Sequence, residues 1–402
     1  VSLEGIDRPA AVEYVARHFL SGAWVSVATR GPTIAAIRPV DGPADAYDEH
    51  DDWIGPAFWD IQTNGRMGVS FSDPALTVDQ VASIVRAQAE WGAARICPTL
   101  ITAPCEALRH GVATIAAACE RSPDVAARVL GIHLEGPFLS PLDGYRGAHP
   151  LDAIRDPDWG MIEDLQEASG GRIVLLTLAP ERPGALDLIR RAVASGIVVA
   201  LGHTAADGPT LFAAVRAGAR LSTHLGNGIA AQLPRHPNPI WHQAADDYLC
   251  ASLIADGHHL DPDTLRVLVR AKGADQVILV SDASPLAGLP PGRYGGWEVD
   301  PSGKIVVAGT PYLAGSNQGL DVGLSTLMGV TGYSLAQAFA TVTTNPARLL
   351  GRPGPALDVG QPACLVRFRL DWAAAAPRIR LLATCVDGEW TEAESGWATA
   401  TD

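Results

Sequence analysis

Apolar and polar positions along this chain follow two alternating periods. From Ala57 onward, short β-rich runs are followed by stretches with helical spacing, and the pair repeats. The β-like runs are Ala57–Gln62, Ala94–Pro98, Val125–Leu130 continuing to Glu135, Arg172–Leu178, Ile197–Leu201, Arg220–Thr223, Tyr248–Ile254 and Gln276–Val280. Helices are expected over Thr77–Trp91, Cys105–Glu120, Asp158–Ala168, Pro183–Ser195, Gly208–Ala217 and Asp263–Lys272, with a less regular region before Tyr248. Eight strands separated by helices or long crossovers predict an α/β fold, a closed (β/α)8 barrel of the TIM type. A doubly wound open sheet is the alternative. It leaves unexplained why polar residues stand at the C-termini of so many strands.

Both chain ends turn β-like. Trp24–Ala28 and Thr33–Ile37, split by Arg30-Gly31-Pro32, predict antiparallel strands. Ala363–Leu370, Ile379–Val386 and Glu389–Thr391 close the chain, with Asp387-Gly388 as a hairpin turn. The economical solution is one small β-sandwich made from both termini, residues 1–55 and 353–402, around a barrel spanning 56–352. Gly303–Ala308, Leu320–Met328 and a helix over Leu335–Thr343 follow the eighth strand. Asp41–Asp52 and Ala373–Ala376 read as loops.

Composition narrows the function. The 402 residues are 47% hydrophobic and 18% charged, an ordinary globular balance. A net charge of −14 argues against nucleic acid or an anionic membrane as partner. Cys97, Cys105, Cys119, Cys250, Cys364 and Cys385 are scattered without a CxxC pair, which predicts free thiols in a reducing compartment. Val1–Leu20 mixes acids and bases, unlike a signal peptide, and no apolar run reaches the length of a membrane span. A cytoplasmic protein is expected.

The chemistry gathers at strand ends. Glu135 closes one β-like run, and a buried carboxylate needs a cation, a metal or a proton. His203 and His224 follow the fifth and sixth runs. Glu, His and His are a ligand set for a catalytic zinc, which leaves a fourth position for water. The eighth run ends at Ser281-Asp282, placing an acid where a general base is needed. Gln62 and Asp256 also fall at strand ends. In a (β/α)8 barrel that rim is where active sites are built. A lone histidine there is more often structural than a ligand; two at successive strand ends, joined by a glutamate, reverse that.

Seven motifs in order make the chain similar to the N-acetylglucosamine-6-phosphate deacetylase family of the metal-dependent amidohydrolase superfamily. They are His133-Leu134-Glu135-Gly136-Pro137, Gly147-Ala148-His149, Gly202-His203-Thr204, Thr223-His224-Leu225 with Asn227, Ala255-Asp256-Gly257 with His259, Ser281-Asp282-Ala283, and Leu313 with Gly315-Ser316. Relatives in the superfamily carry His-x-His on the first strand for a second metal. This chain has Gln62-Thr63-Asn64 there, so one divalent metal is expected, zinc before iron or another ion. The resemblance implies Asp282 as general acid–base and His149 as a donor to the developing oxyanion. It nominates Gln62, Asn227, Gly228, Arg235, His259, Leu313 and Ser316 as substrate-binding, with Arg235 and His259 on the phosphate. In such relatives the arginine crosses from a second subunit, which implies a homodimer. His133 is expected to be structural and His258 a bystander.

The implied reaction is hydrolysis of the acetamide of N-acetylglucosamine 6-phosphate, a small amino-sugar phosphate. Gly226, Gly228-Ile229, the stretch from His236 to Trp241, and Asn317 to Leu320 depart from the family pattern near the pocket. A different N-acyl sugar or a cyclic amide is therefore the rival substrate. A sugar-phosphate-binding protein without turnover is the rival of another class, and retention of Glu135, His203, His224 and Asp282 together argues against it.

Overall fold

A computed structural model describes residues 12–42, 48, 50–371 and 377–393. Ala373–Ala376 lies outside the described residues, as do 1–11. Eight parallel strands form one sheet in chain order: Phe58–Thr63, Ala93–Ile101, Ile132–Glu135, Ile173–Leu178, Val198–Leu201, Leu221–Ser222, Cys250–Leu253 and Val277–Leu279. The sheet closes on itself. Thr63 bridges Ala283 in parallel, Asn64 N–H donates to the Ala283 carbonyl at 2.9 Å, and Asp282 N–H donates to the Gln62 carbonyl at 3.0 Å.

Both faces of the barrel strands are buried, which is why they read as continuous apolar runs. Cys97, Leu175, Ala200, Leu221 and Ile278 cluster with Ile61 and Trp59. Their neighbours Ile96, Leu134, Leu176, Val199 and Leu201 pack with helix residues such as Val81, Leu108, Val112 and Ile189. The helices begin where the sequence supplies caps. Thr77 and Gln80 make a capping box at Val78–Ala87, and Asp207 and Asp261 accept first-turn N–H groups at Gly208–Ala217 and Pro262–Lys272.

Some expectations change. Val125–Leu130 is not the start of the third strand: Pro123–Arg128 is a short helix, and the strand is only Ile132–Glu135. Ser122 caps that helix with Pro123 at its first position, a start signal that outweighs the β-capable valines. The less regular region holds the helix Pro239–Ala245, capped by Asn238. Gly303–Ala308 contributes one strand, Ile305–Val307, of a three-stranded sheet with Gly292–Tyr294 and Trp297–Val299.

The chain ends meet in one seven-stranded sheet. Asp52–Pro56, a strand the sequence did not reveal, pairs in parallel with Val12–His18 and antiparallel with Leu365–Asp371. Arg367 and Arg369 both pair with Asp52 across that junction, at 2.7 and 2.9 Å. Phe339 ties this sheet to the barrel. Its fully buried ring lies 5.2 to 5.6 Å from those of Phe19, Phe368 and Phe58. Phe339→Ala is expected to cost about 3–5 kcal/mol, the usual range for emptying a core phenylalanine site. The loss is read as a lower urea midpoint; an unchanged midpoint contradicts the junction described here.

Candidate active site

Three strands end on residues in a conformation that side chains seldom adopt. His203, His224 and Asp282 have φ of 49°, 31° and 48°, in the left-handed region. Such positions persist only where their surroundings over-determine them. Here each turns a functional group toward the same pocket, which is also lined by Glu135, His149, Asn227, Gly228, His259 and Leu313.

Three donors converge at the base of this pocket. Glu135 Oε1 lies 2.8 Å from His224 Nε2 and 3.2 Å from His203 Nε2, and the two Nε2 atoms are 3.2 Å apart. His203 Nδ1 is 2.8 Å from the Tyr145 carbonyl, an acceptor only, so its proton sits on Nδ1 and its Nε2 lone pair faces the other two donors. Two ring nitrogens and a carboxylate oxygen at these spacings repel one another unless a positive charge stands among them. The electrostatics show the same demand. Burial opposes a charge on Glu135, but its close contacts with the His203 and His224 rings hold its pKa well below the usual range. Burial likewise opposes a charge on His224, and Glu135 outweighs it and raises its pKa. This set of buried donors fits a divalent ion.

His149 widens the group, since its ring nitrogen, Glu135 and His203 also lie within 4.8 Å of one another. Its hydrogen bonds separate it from the other three. The Thr102 N–H and hydroxyl approach Nδ1 at 3.4 and 2.9 Å. With Nδ1 accepting, Nε2 carries the proton and is a donor rather than a ligand. Burial and the neighbouring His203 push its pKa down to about 3, so the ring is neutral.

Asp282 faces this cluster. Its Oδ1 accepts from Asn64 Nδ2 at 2.7 Å and Gln62 Nε2 at 3.1 Å. Burial and the Glu135 carboxylate push its pKa up to about 7, and a cation among the three donors works in the opposite direction. Gln62, expected to touch substrate, thus holds Asp282 and does not line the pocket, whereas Asn64 lines it and was not nominated. Ser316 also lies behind the site: its N–H donates to the Asp282 carbonyl at 2.8 Å. His259 points in from the seventh strand's loop. Asp256 Oδ2 lies 2.8 Å from His259 Nδ1, and its Oδ1 accepts the His258 and His259 N–H groups. Burial works against the Asp256 charge, but these bonds, His259 first, hold its pKa below the usual range.

His133 lines no part of the pocket: Nε2 meets Thr177 Oγ1 at 2.8 Å, and burial lowers its pKa to about 4. Gly228 must be glycine, since φ is 60° and a Cβ would sit 2.7 Å from His203 Nδ1. Arg235 is exposed on the loop after His224 and lines no part of the pocket.

Residues 53–391 match the amidohydrolase family. The chain is 36% identical over 352 residues to N-acetylglucosamine-6-phosphate deacetylase of Bos taurus, covering 84% of this chain and 82% of that one. It is 33% identical over 323 residues to N-acetylgalactosamine-6-phosphate deacetylase of Escherichia coli O157:H7, covering 80% and 84%. Among solved structures it is similar to a mutant N-acetyl-D-glucosamine-6-phosphate deacetylase from Mycobacterium smegmatis in complex with N-acetyl-D-glucosamine-6-phosphate. The TM-score is 0.82 at 31% identity, over 95% of this chain and 99% of that one.

The donor set predicts that the purified chain carries a divalent ion. His203→Ala is expected to lose it by elemental analysis while the far-UV spectrum is kept. Full retention of the ion in that variant removes His203 from the ligand set.

Proposed function

The chain belongs to the amidohydrolase family, and from that membership we propose that it hydrolyses the acetamide of N-acetylglucosamine 6-phosphate to glucosamine 6-phosphate and acetate. The observation that carries this reading is the buried Glu135, His203 and His224 cluster with Asp282 across the same pocket. The family is metal-dependent. The ion proposed is a single zinc held by Glu135, His203 and His224. In support, the Gln62 and Asn64 amides, where relatives carry a second histidine pair, are engaged with Asp282.

A zinc ion there supplies Lewis acidity that makes water nucleophilic near neutral pH. Asp282 takes the proton from the attacking water and returns it to the leaving amine. The His149 Nε2–H donates to the carbonyl oxygen as negative charge builds on it. His259, oriented by Asp256, the backbone N–H of Gly228 and the Asn227 side-chain amide, whose Nδ2 is buried without a partner among the described residues, receive the phosphate. The Asn227 backbone N–H is already given to the His224 carbonyl at 2.9 Å. Leu313 lines the sugar pocket. Among the described residues lining the pocket there is no lysine or arginine. An exposed Arg235 reaching the pocket of a second copy supplies that charge, so the working unit is a homodimer. The cytoplasm is the proposed site of action; no described helix is long and apolar enough to cross a membrane, and the cysteines are free.

N-acetylgalactosamine 6-phosphate is a second substrate reading, favoured by the similarity to the Escherichia coli enzyme. Acetate release from both sugars, with and without phosphate, tests the two together. No release from either phosphate contradicts the deacetylase reading.

Asp282→Asn is expected to keep the ion and the fold while turnover falls about 10²–10⁴-fold, the usual scale for losing a general acid–base. Near-wild-type acetate release removes Asp282 from the mechanism. Arg235→Ala should lower kcat/KM for the 6-phosphate by roughly 10–100-fold, as losing one charge-assisted contact does, and barely change the unphosphorylated sugar. Equal losses on both substrates rule out the phosphate role. Mixed dimers of Arg235→Ala and Asp282→Asn chains should regain activity if the arginine crosses between copies.

A further inference from the structure

A second carboxylate lies beneath the site, and the reaction as derived gives it no part. Asp60 is 1% exposed on the first barrel strand, and among the described residues no lysine or arginine is a hydrogen-bond partner to it. Its Oδ2 accepts from the Ser281 hydroxyl and, at 3.1 Å, from Thr63 Oγ1. Its Oδ1 accepts the N–H groups of Gln62 and Ser281, each at 3.2 Å. Four donors on one buried carboxyl favour its charged form. Burial pushes its pKa up to about 6, the Ser281, Gln62 and Thr63 bonds pull against that, and the group is ionised at neutral pH.

These donors belong to the two parts of the Asp282 site. Gln62 comes from the first strand, and its amide, with that of Asn64, holds Asp282 Oδ1. Ser281 follows the end of the eighth strand, next to Asp282, whose φ of 48° a side chain adopts only under constraint. The Ser281 hydroxyl that donates to Asp60 also receives the Ala283 N–H at 3.1 Å, so it spans the turn on which Asp282 sits. Asp60 therefore touches both sides of the barrel seam, one step removed from the acid in each case.

The geometry points to Asp60 as the positioning residue of the reaction: through Ser281 and Gln62 it fixes Asp282 and its amide donors in one register across the seam. This rests on Asp282 being the acid–base. Asp60 is buried and lines no part of the pocket. A purely structural carboxylate in this place would close the barrel and do nothing more. An isosteric amide separates the two roles, because it keeps the volume and loses acceptor capacity for two of the four donors.

The test is a double-mutant cycle on the full-length enzyme, run with whichever N-acetylhexosamine 6-phosphate the wild type hydrolyses. Asp60→Asn is expected to lower kcat by roughly tenfold or more, with KM within about twofold and metal content unchanged. Ser281→Ala should act in the same direction, and it carries the test if Asp60→Asn does not fold. In an Asp282→Asn background either change should have little further effect, since the group being positioned is gone. Wild-type kcat in Ser281→Ala or in folded Asp60→Asn overturns the role. So does an equal loss with and without Asp282, which marks Asp60 as structural only. A wild type that hydrolyses neither sugar phosphate contradicts the activity itself, and this role with it; loss of the predicted coupling alone leaves the activity standing.

Discussion

A buried negative charge organises this molecule. Glu135 is 2% exposed, and its Oε1 partners are two imidazoles from the next strands but one and two around the barrel. Leaving such a carboxylate uncompensated costs several kcal/mol, so the surrounding chain is arranged to keep positive charge beside it. His203 is held by the Tyr145 carbonyl, and Gly147 and Gly228 leave the room its ring occupies. The same field that favours a cation raises the pKa of Asp282, the group read as accepting a proton. The Glu135, His203 and His224 cluster and Asp282 are thus one electrostatic unit, made from the ends of separate strands.

The barrel was legible in the sequence because its strands are buried on both faces and its helices carry caps. The convergence of Glu135, His203, His224 and Asp282 on one pocket was legible because a polar group at the end of an apolar run demands a reason. Residues acting through another residue were harder to read. Gln62 looked like a substrate contact and instead donates to Asp282; Ser316 supports the same aspartate through its backbone. Spacing cannot distinguish a side chain that points into a pocket from one that points at its neighbour. The short helix Pro123–Arg128 was missed because Val125 and the Val129 just after it suit a strand, although Ser122-Pro123 announces a helix start. Asp52–Pro56 was missed because an acidic stretch and a proline mask a strand paired on both sides.

The pocket has two kinds of wall. Its base is made of barrel strand ends, locked by hydrogen bonds such as those to Asp282. Part of its rim comes from the sequence after the eighth strand, where Trp297, Tyr312 and Leu313 face the cavity. That rim rests on a separate small cluster of Leu286, Val299, Ile305 and Ala314. The departures at Asn317 to Leu320 fall just beyond it. The rim can therefore change shape while Asp282 and its hydrogen-bond partners at the base keep their positions.

The pairing of Asp52–Pro56 with Leu365–Asp371 bears on how the chain is made. On the ribosome, the early strand emerges with only Val12–His18 beside it. Its other edge waits for roughly 300 further residues, about 15–60 s at 5–20 residues per second. The barrel is in the same position, because its first strand closes against Ala283. Through most of synthesis the nascent polypeptide carries two open β edges, sites where a neighbouring chain could pair wrongly. The order of synthesis thus sets how long these edges stand exposed: one until Ala283 arrives, the other until Leu365–Asp371 does.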